Sequence, residues 1–344
     1  MNNSLPILVE VTRGSIIESW HRGAIVAVTP DGKTVAGVGD ETIVTSTRST
    51  IKPIQTIPFI ASGAADHFNC TAREIAVASA SHQGEPVHTQ TVAAMLAKGG
   101  LDESALACGP QPPYSAEATR ELERLGLPHT QLHNNCSGKH AGMLLTALHR
   151  RLGVDGYYLP EHGVQRSIVE VFSALAGLDP HGIPTATDGC SAPTFGVPLK
   201  AMALSFARLA NPEAANTIDE NQRAAINRIV AAMIDYPEMI GGTRDRLDSD
   251  LLRAAKGKLI CKIGAEAVYG IGVLPCETHS TGLGIAMKIE DGATRGLGAV
   301  VVETLSQLGV LDAAQTRELA TYHHPQIDNR RGIAVGDIRA IFKL

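Results

Sequence analysis

Aromatic residues are scarce: 4% of 344 residues, with a single tryptophan. Proteins that stack nucleic-acid bases need aromatic faces interleaved with basic residues, and that pattern is missing. The net charge is only −5 and the charges are interspersed. Without a basic stripe, nucleic acid is not an expected partner. No apolar run approaches the roughly 18 residues needed to span a bilayer, so no membrane partner is expected. The opening MNNSLPILVEVTRG lacks a basic start followed by a long apolar stretch. It does not read as a secretory leader, and the cytoplasm is the expected compartment. There the six cysteines (Cys70, Cys108, Cys136, Cys190, Cys261, Cys276) are expected to be reduced. No C-x-x-C pair, internal repeat, low-complexity segment or linker-like stretch interrupts the chain.

What is there divides by position. The stretches LPILVEV, SIIESW, GAIVAV and TVAGVG between residues 5 and 39 read as short β-branched strands, with a turn at Pro30-Asp31-Gly32. Helical spacing dominates the middle. Thr71 and Glu74 form a capping-box pattern that opens a helix running out near Ser79. Further helices are expected at 86–98, 115–125, 138–152, 162–176, 197–210 and 219–235. KLICKIG, EAVYGIGVL and GLGIAMKIE then read as consecutive strands. A helix at 293–309 and a polar tail with His323 and His324 complete the chain. The expected fold class is α+β: a mainly antiparallel sheet from both chain ends packed with helices, one domain over 1–344 with a possible division into a sheet lobe and a helical lobe.

Residues 48–53 read RSTIKP. Ser49 and Lys52 are three apart, so on a helix they share a face. Pro53 lacks an N–H and fits only a first helical turn. The start of the helix therefore lies near Ser49, where unpaired backbone N–H groups can stabilise an oxyanion. A serine needs a base to attack at neutral pH, and a neutral lysine serves. Its pKa must then fall from about 10.4 to about 7–8, a cost near 4 kcal/mol. Burial or a second cation achieves this. Lys262, followed by Ile263-Gly264 on a late strand, is expected to favour a neutral Lys52 as that cation, to orient substrate, or both, with the glycine allowing close approach of a ligand to the backbone. The polar loop Ser81-His82-Gln83-Gly84-Glu85 offers Ser81 as a proton relay to a leaving group. Each element alone is commonplace, since S-x-x-K pairs abound on helix surfaces. The order S-x-x-K, serine loop, K-x-G matches serine β-lactamases and penicillin-recognising peptidases. Here His82-Gln83 replaces their usual Asp-Asn type of middle element.

Cys136 precedes a helical stretch, where a thiol pKa is lowered. Cys190 follows Asp188-Gly189. Two thiolates suit zinc, with His140 or Lys139 adding a nitrogen and water a fourth ligand. The competing reading is a pair of buried, inert cysteines. Gly138-Lys139 is not a phosphate loop: His133 stands where the first glycine is required, and no Ser or Thr follows the lysine.

These motifs together resemble the bacterial asparaginase II family typified by the rhizobial enzymes. The resemblance rests on Glu18-Ser19-Trp20-His21-Arg22-Gly23, Arg48-Ser49 through Lys52-Pro53-Ile54-Gln55, Ser81 through Glu85, Asn134 through Met143, Asp188-Gly189-Cys190 and Lys262 through Glu266. It implies a serine β-lactamase-like fold, a homodimer, and hydrolysis of L-asparagine to L-aspartate and ammonia. It implies two Ser-Lys pairs, Ser49 with Lys52 and Ser81 with Lys262, and a zinc held by Cys136, Lys139 and Cys190. An amino-acid substrate carries a carboxylate, which Arg48 is expected to hold, and an ammonium, expected at Asp188. His140 and Glu266, carried by the same motifs, join the expected substrate-binding set. Two departures stand out. The family tends to Gly-Val-Pro after Cys190 where this chain has Ser191-Ala192-Pro193, and to Gly where it has Ala267. Another Ser/Lys acyl-transfer hydrolase, such as a glutaminase or a β-lactamase-like enzyme, is the rival within the fold. A non-catalytic amino-acid or metal binder is the rival outside it.

Overall fold

The computed structural model describes residues 5–344; residues 1–4, the start of the stretch read for a leader, lie outside the described residues. The described residues divide into two compact units: those up to Thr50, with 197–214 and 250–344, form the first, and 51–196 with 215–249 the second.

Eleven strands run through the described residues: β1 (Ile7–Arg13), β2 (Ile16–Val28), β3 (Thr34–Val38), β4 (Val44–Ser46), β5 (Thr185–Thr187), β6 (Pro193–Pro198), β7 (Leu259–Gly264), β8 (Val268–Val273), β9 (Leu283–Ile289), β10 (Gln326–Asp328) and β11 (Ala334–Ala340). In the first unit eight of them form a sheet in the order β10-β11-β1-β2-β9-β8-β7, with β3 also on β2. Every pairing in it is antiparallel. The expected antiparallel sheet from both chain ends is thus present.

Two details depart from expectation. SIIESW and GAIVAV are one continuous strand, β2, whose pairing with β1 absorbs register shifts. The presumed polar tail supplies β10 and β11, and β11 pairs with β1 through Val9↔Ala340 and Val11↔Ile338. What secures β11 is polar: Thr12 Oγ1 donates to Asp337 Oδ1 at 2.6 Å and accepts from Asp337 N–H at 3.0 Å. His323 is a buried partner of Glu303, with Nε2 2.7 Å from its carboxylate.

The helix Leu199–Ala210 belongs to this sheet unit and lies on β2, β8 and β9. Gly284 makes that possible: a Cβ there would stand 1.8 Å from Ala203 O. A strand glycine thus marks the place where a second backbone comes close.

The second unit is helical. Thr71 and Glu74 close the expected capping box on Ala72–Ala78, and helices Pro86–Lys98, Ala116–Leu125, Gly163–Ala176 and Glu220–Asp235 fall where periodicity put them. Ser137–His149 is buried from Ser137 through Ala147. A helix apolar or small nearly all round belongs inside a protein, and this one packs against Ala72–Ala78 and Pro86–Lys98. Among the described residues no helix is long and apolar enough to cross a membrane.

Candidate active site

Arg48 to Ile51 form a 3-10 turn, and the α-helix proper begins at Lys52 with Pro53 in its first turn. The residue before a proline resists helical dihedrals, yet Lys52 is the first residue of the α-helix, and the tight turn lies ahead of it. Arg48 adopts φ 44°, a left-handed conformation uncommon for a side-chain-bearing residue. Ser49 is half-buried and belongs to the first unit; Lys52 is sealed from water and belongs to the second.

Within the first unit, the turn carrying Arg48 and Ser49 meets the end of β7. A Cβ on Gly264 would stand 3.0 Å from Thr50 Cγ2 and 3.3 Å from Thr47 O. The neighbour that this glycine admits is the protein's own chain, not the ligand expected from the K-x-G pattern. Lys262, on the same strand, is fully buried and donates from Nζ to Ile263 O at 2.8 Å. Glu266 is exposed in the turn joining β7 to β8, with φ 61°.

Within the second unit, Lys52 Nζ meets three oxygens: Ser81 Oγ at 2.9 Å, Asn135 O at 3.1 Å and Asn135 Oδ1 at 3.2 Å. The Asn135 amide is oriented by its Nδ2, which donates to Gln111 Oε1 at 3.0 Å. Two of the three oxygens are carbonyls that can only accept. A neutral amine has two N–H groups for them and a lone pair left for the Ser81 hydroxyl. Burial pushes the Lys52 ammonium below the usual lysine value; nearby Cys136 opposes this and the charge on Lys139 adds to it. Sequence reading gave Asn135 no role, although it stands inside the quoted Asn134-to-Met143 run.

Ser81 leaves the end of Ala72–Ala78 with its backbone held on both sides. Its N–H donates to Ile240 O at 3.0 Å, and its carbonyl accepts from Arg246 at 3.0 Å. The next residue, His82, is wholly buried. Its Nδ1 accepts from Gly84 N–H at 3.1 Å, so Nε2 carries the proton and donates to Ser137 Oγ at 2.9 Å. Ser137 passes its own proton to Leu132 O at 3.0 Å. His82 stacks on His88 with centroids 4.9 Å apart. The Ser81 loop is thereby pinned to the first turn of Ser137–His149.

That turn carries Lys139 and His140, with Cys136 just before it. Asn134 Oδ1 accepts from Cys136 N–H at 2.9 Å, fixing the entry to the helix. Cys136, Asp188 and Cys190 bring their ligand atoms within 4.8 Å of one another. Lys139 Nζ lies 3.1 Å from Cys190 Sγ, and Asp188 Oδ2 lies 3.6 Å from it. The helix end does not lower the Cys136 thiol as expected. Its hydrogen bond to Cys190, then burial, pushes it up, while the same bond, against burial, holds Cys190 well down. The two sulfurs are thus pushed apart, Cys136 upward and Cys190 downward. Burial pulls Lys139 down, but the Cys190 sulfur outweighs it and holds the ammonium above the ordinary lysine value. Two sulfurs and a carboxylate lie in so small a space that they could hold a metal ion, with Lys139 a ligand only once it has lost its proton. Gly138, between the ligand candidates, touches the helix that feeds Ser81: a Cβ there would be 2.2 Å from Val77 O.

The two departures from the family pattern share one physical feature. Ser191 has φ 73° and Ala267 φ 51°, the region where glycine is at ease. A glycine would suit these backbones, and this chain holds them with side chains.

The second unit thus gathers Lys52, Ser81, Cys136, Lys139, His140, Asp188 and Cys190, while Arg48, Ser49, Lys262 and Glu266 lie in the first. Solved structures with some likeness include a probable glutaminase from Bacillus subtilis complexed with 6-diazo-5-oxo-L-norleucine, at 14% identity and TM-score 0.37 over 84% of each chain. Mglu in its native form is 16% identical with TM-score 0.44, over 83% of this chain and 63% of that one. A Bacillus glutaminase in the presence of 4.3 M NaCl is 15% identical with TM-score 0.37, over 84% and 91%. Scores this low leave the assignment to the family comparison. Among curated proteins none matches this chain. Residues 9–340, nearly the whole length, match the family described as L-asparaginase II, and the chain belongs to that family of amidohydrolases.

Proposed function

We propose that the protein hydrolyses the side-chain amide of L-asparagine to L-aspartate and ammonia through a serine acyl-enzyme. The observation that carries the reading is a buried Lys52, three residues after Ser49, whose Nζ is hydrogen-bonded to Ser81 and Asn135. Ser49 Oγ attacks the amide carbon and gives its proton to Lys52. The tetrahedral intermediate collapses, the C–N bond breaks, and the nitrogen leaves as ammonia with a proton delivered through Ser81. Water then adds to the ester and releases aspartate and the free serine. Arg48 and Asp188 answer the substrate's carboxylate and ammonium, with His140 and Glu266 in support. Lys262 takes the auxiliary role that its K-x-G motif implies.

The hydrogen bond from Lys52 to Ser81 favours a second reading of the nucleophile, in which Ser81 attacks and Lys52 is its base. Ammonia release from L-asparagine and L-glutamine by wild type, Ser49→Ala and Ser81→Ala tests both, with intact-mass analysis of quenched reactions locating the acyl group. Loss in Ser49→Ala with an adduct on Ser49 is expected. Full turnover by folded Ser49→Ala, with an adduct on Ser81, reverses the roles. Faster release from glutamine than from asparagine overturns the substrate.

The zinc reading is kept on the donor chemistry. Cys136, Lys139 and Cys190 would hold the ion, which supplies Lewis acidity and charge for a bound oxygen. Binding requires Lys139 to give up its proton. Metal analysis after purification without added zinc, and again for Cys190→Ser, checks it: one equivalent in the first and little in the second is expected.

A further inference from the structure

Where the Ser81 loop ends at Glu85, the second unit holds a cavity of about 480 Å³. That size falls among small-molecule sites, about 300–1,000 Å³. Its wall carries three carboxylates, Glu85, Glu117 and Glu121, and three guanidinium groups, Arg120, Arg124 and Arg244. Neither the lysine–serine cluster nor the cysteine cluster uses any of them. Arg124 is taken by Glu121 on the same helix, Nε to Oε2 at 2.8 Å and Nη2 to Oε1 at 2.6 Å. Arg120 and Arg244 make no hydrogen bond or ion pair through their guanidinium groups among the described residues.

Glu85 is only 9% exposed, and no basic side chain among the described residues pairs with it. Its two oxygens each lie 3.3 Å from the Thr243 N–H, past the usual range for such a bond. His88 offers it no proton: Nδ1 accepts from the Glu85 N–H and Nε2 donates to Glu238 O. A buried carboxylate ordinarily has a cation beside it. One cavity thus wants a cation at Glu85 and an anion at Arg120 and Arg244, while its wall is neutral in sum. A ligand with both an ammonium and a carboxylate meets both demands. A phosphate or a polyamine would meet one and be repelled by the other.

Two walls of the cavity are tied to the loop that carries Ser81. Gln83 O accepts from Ser115 N–H at 3.1 Å, and Gln83 Nε2 donates to Arg244 O at 2.9 Å. Arg246 holds Ser81 O at 3.0 Å.

We infer that this cavity binds a free α-amino acid, with Glu85 taking its ammonium and Arg120 and Arg244 its carboxylate. The ligand joins the segments on either side of Gln83 and stiffens the loop that presents Ser81. It is an effector site, separate from the one around Lys52. The binding stands apart from the proposed function; only an effect on turnover would rest on it.

The test uses the full chain and the common L-amino acids other than asparagine and glutamine, so that no turnover intervenes. A thermal-shift screen compares wild type with the double variant Arg120→Gln, Arg244→Gln. The amino acid that separates them most is then titrated by calorimetry. The double variant should bind it about tenfold more weakly or worse, the worth of a charge-assisted contact. The α-amide of that amino acid, which lacks the carboxylate, should bind wild type as weakly as it binds the variant. Glu85→Gln should lose affinity for the amino acid but not for its N-acetyl form. Hydrogen exchange over residues 81–85 should slow on binding in wild type and not in the double variant. If no amino acid separates wild type from the folded double variant, the inference is overturned. Wild type that holds the amino acid and its α-amide alike overturns it even where the variant does not fold. Binding that leaves exchange in the loop unchanged overturns the effector role. Ammonia release enters none of these readouts. A failed amidase assay therefore leaves this site standing, and a failed titration leaves the proposed function standing.

Discussion

Lys52 and Lys139 are both sealed from water in the same unit, yet their surroundings push them in opposite directions. Around Lys52 the hydrogen-bonding atoms are a hydroxyl and two carbonyls, and burial pushes its ammonium below the usual lysine value. Lys139 is buried too, but the Cys190 sulfur at 3.1 Å holds its ammonium above the ordinary lysine value. Burial by itself does not leave a lysine neutral and able to take a proton; the nearest anion decides. A base and a charged partner are thus built from one residue type within a few side chains of each other.

The sharpest way to break the comparison is to remove the amine from each. Lys52→Met should lower ammonia release by about 10²–10⁴-fold, the range for a positioned proton acceptor. Its far-ultraviolet circular dichroism should stay native. A variant that retains a tenth of the turnover would show that Lys52 is not the base. Lys139→Met should behave differently. It leaves the buried Cys190 sulfur without its cation, and in metal-free protein this should cost about 3–5 kcal/mol in urea unfolding. Adding Cys190→Ala should recover most of that loss. Strict additivity of the two substitutions would mean that no ion pair existed.

Histidines extend the rule. His82 and His88 are buried, and burial first of all lowers both below the ordinary value, although Glu85 and Glu238 oppose the shift at His88. Below the unfolded-state pKa of about 6.5, the unfolded chain then binds more protons than the folded one. Stability should therefore be full above that pH and fall as pH drops below it, by up to about 1.4 kcal/mol per unit for each histidine. Urea midpoints between pH 7 and 5 measure this, and His82→Leu should flatten the slope. The smallest effect concerns the two side chains at positive φ. Ser191→Gly and Ala267→Gly should each raise stability by about 0.5–1 kcal/mol, relief of left-handed strain less the added freedom of the unfolded chain. A loss on either would show that the side chain makes a contact worth more than the strain.

Much of this was legible before any coordinates. The capping box, the proline in the first turn, the late strands and the helices of the middle follow from local patterns, and the structure bears them out. What escaped is non-local or concerns protons. Nothing near AVGDIRA announces that Asp337 will be met by Thr12. Ser81 and Asn135 meet Lys52 across 29 and 83 residues. The proton balance between Cys136 and Cys190 reversed the expectation from a helix end because a second sulfur lies against the first. The Leu199–Ala210 helix was read correctly, but not its place on the sheet, since the glycines that admit it stand more than sixty residues later.

Gly138 carries a consequence of another kind. Its backbone rests on Val77, in the helix that leads to Ser81, while Lys139 and Cys136 flank it. The spacing between the serine side and the cysteine side of this pocket is thus a contact between two main chains with no rotamer in between. Side chains yield like springs; two peptide backbones in van der Waals contact act as a hard stop. The working dimension of the site is machined to the tolerance of the polypeptide itself, and repacking of the surrounding apolar residues can change its walls without changing its width.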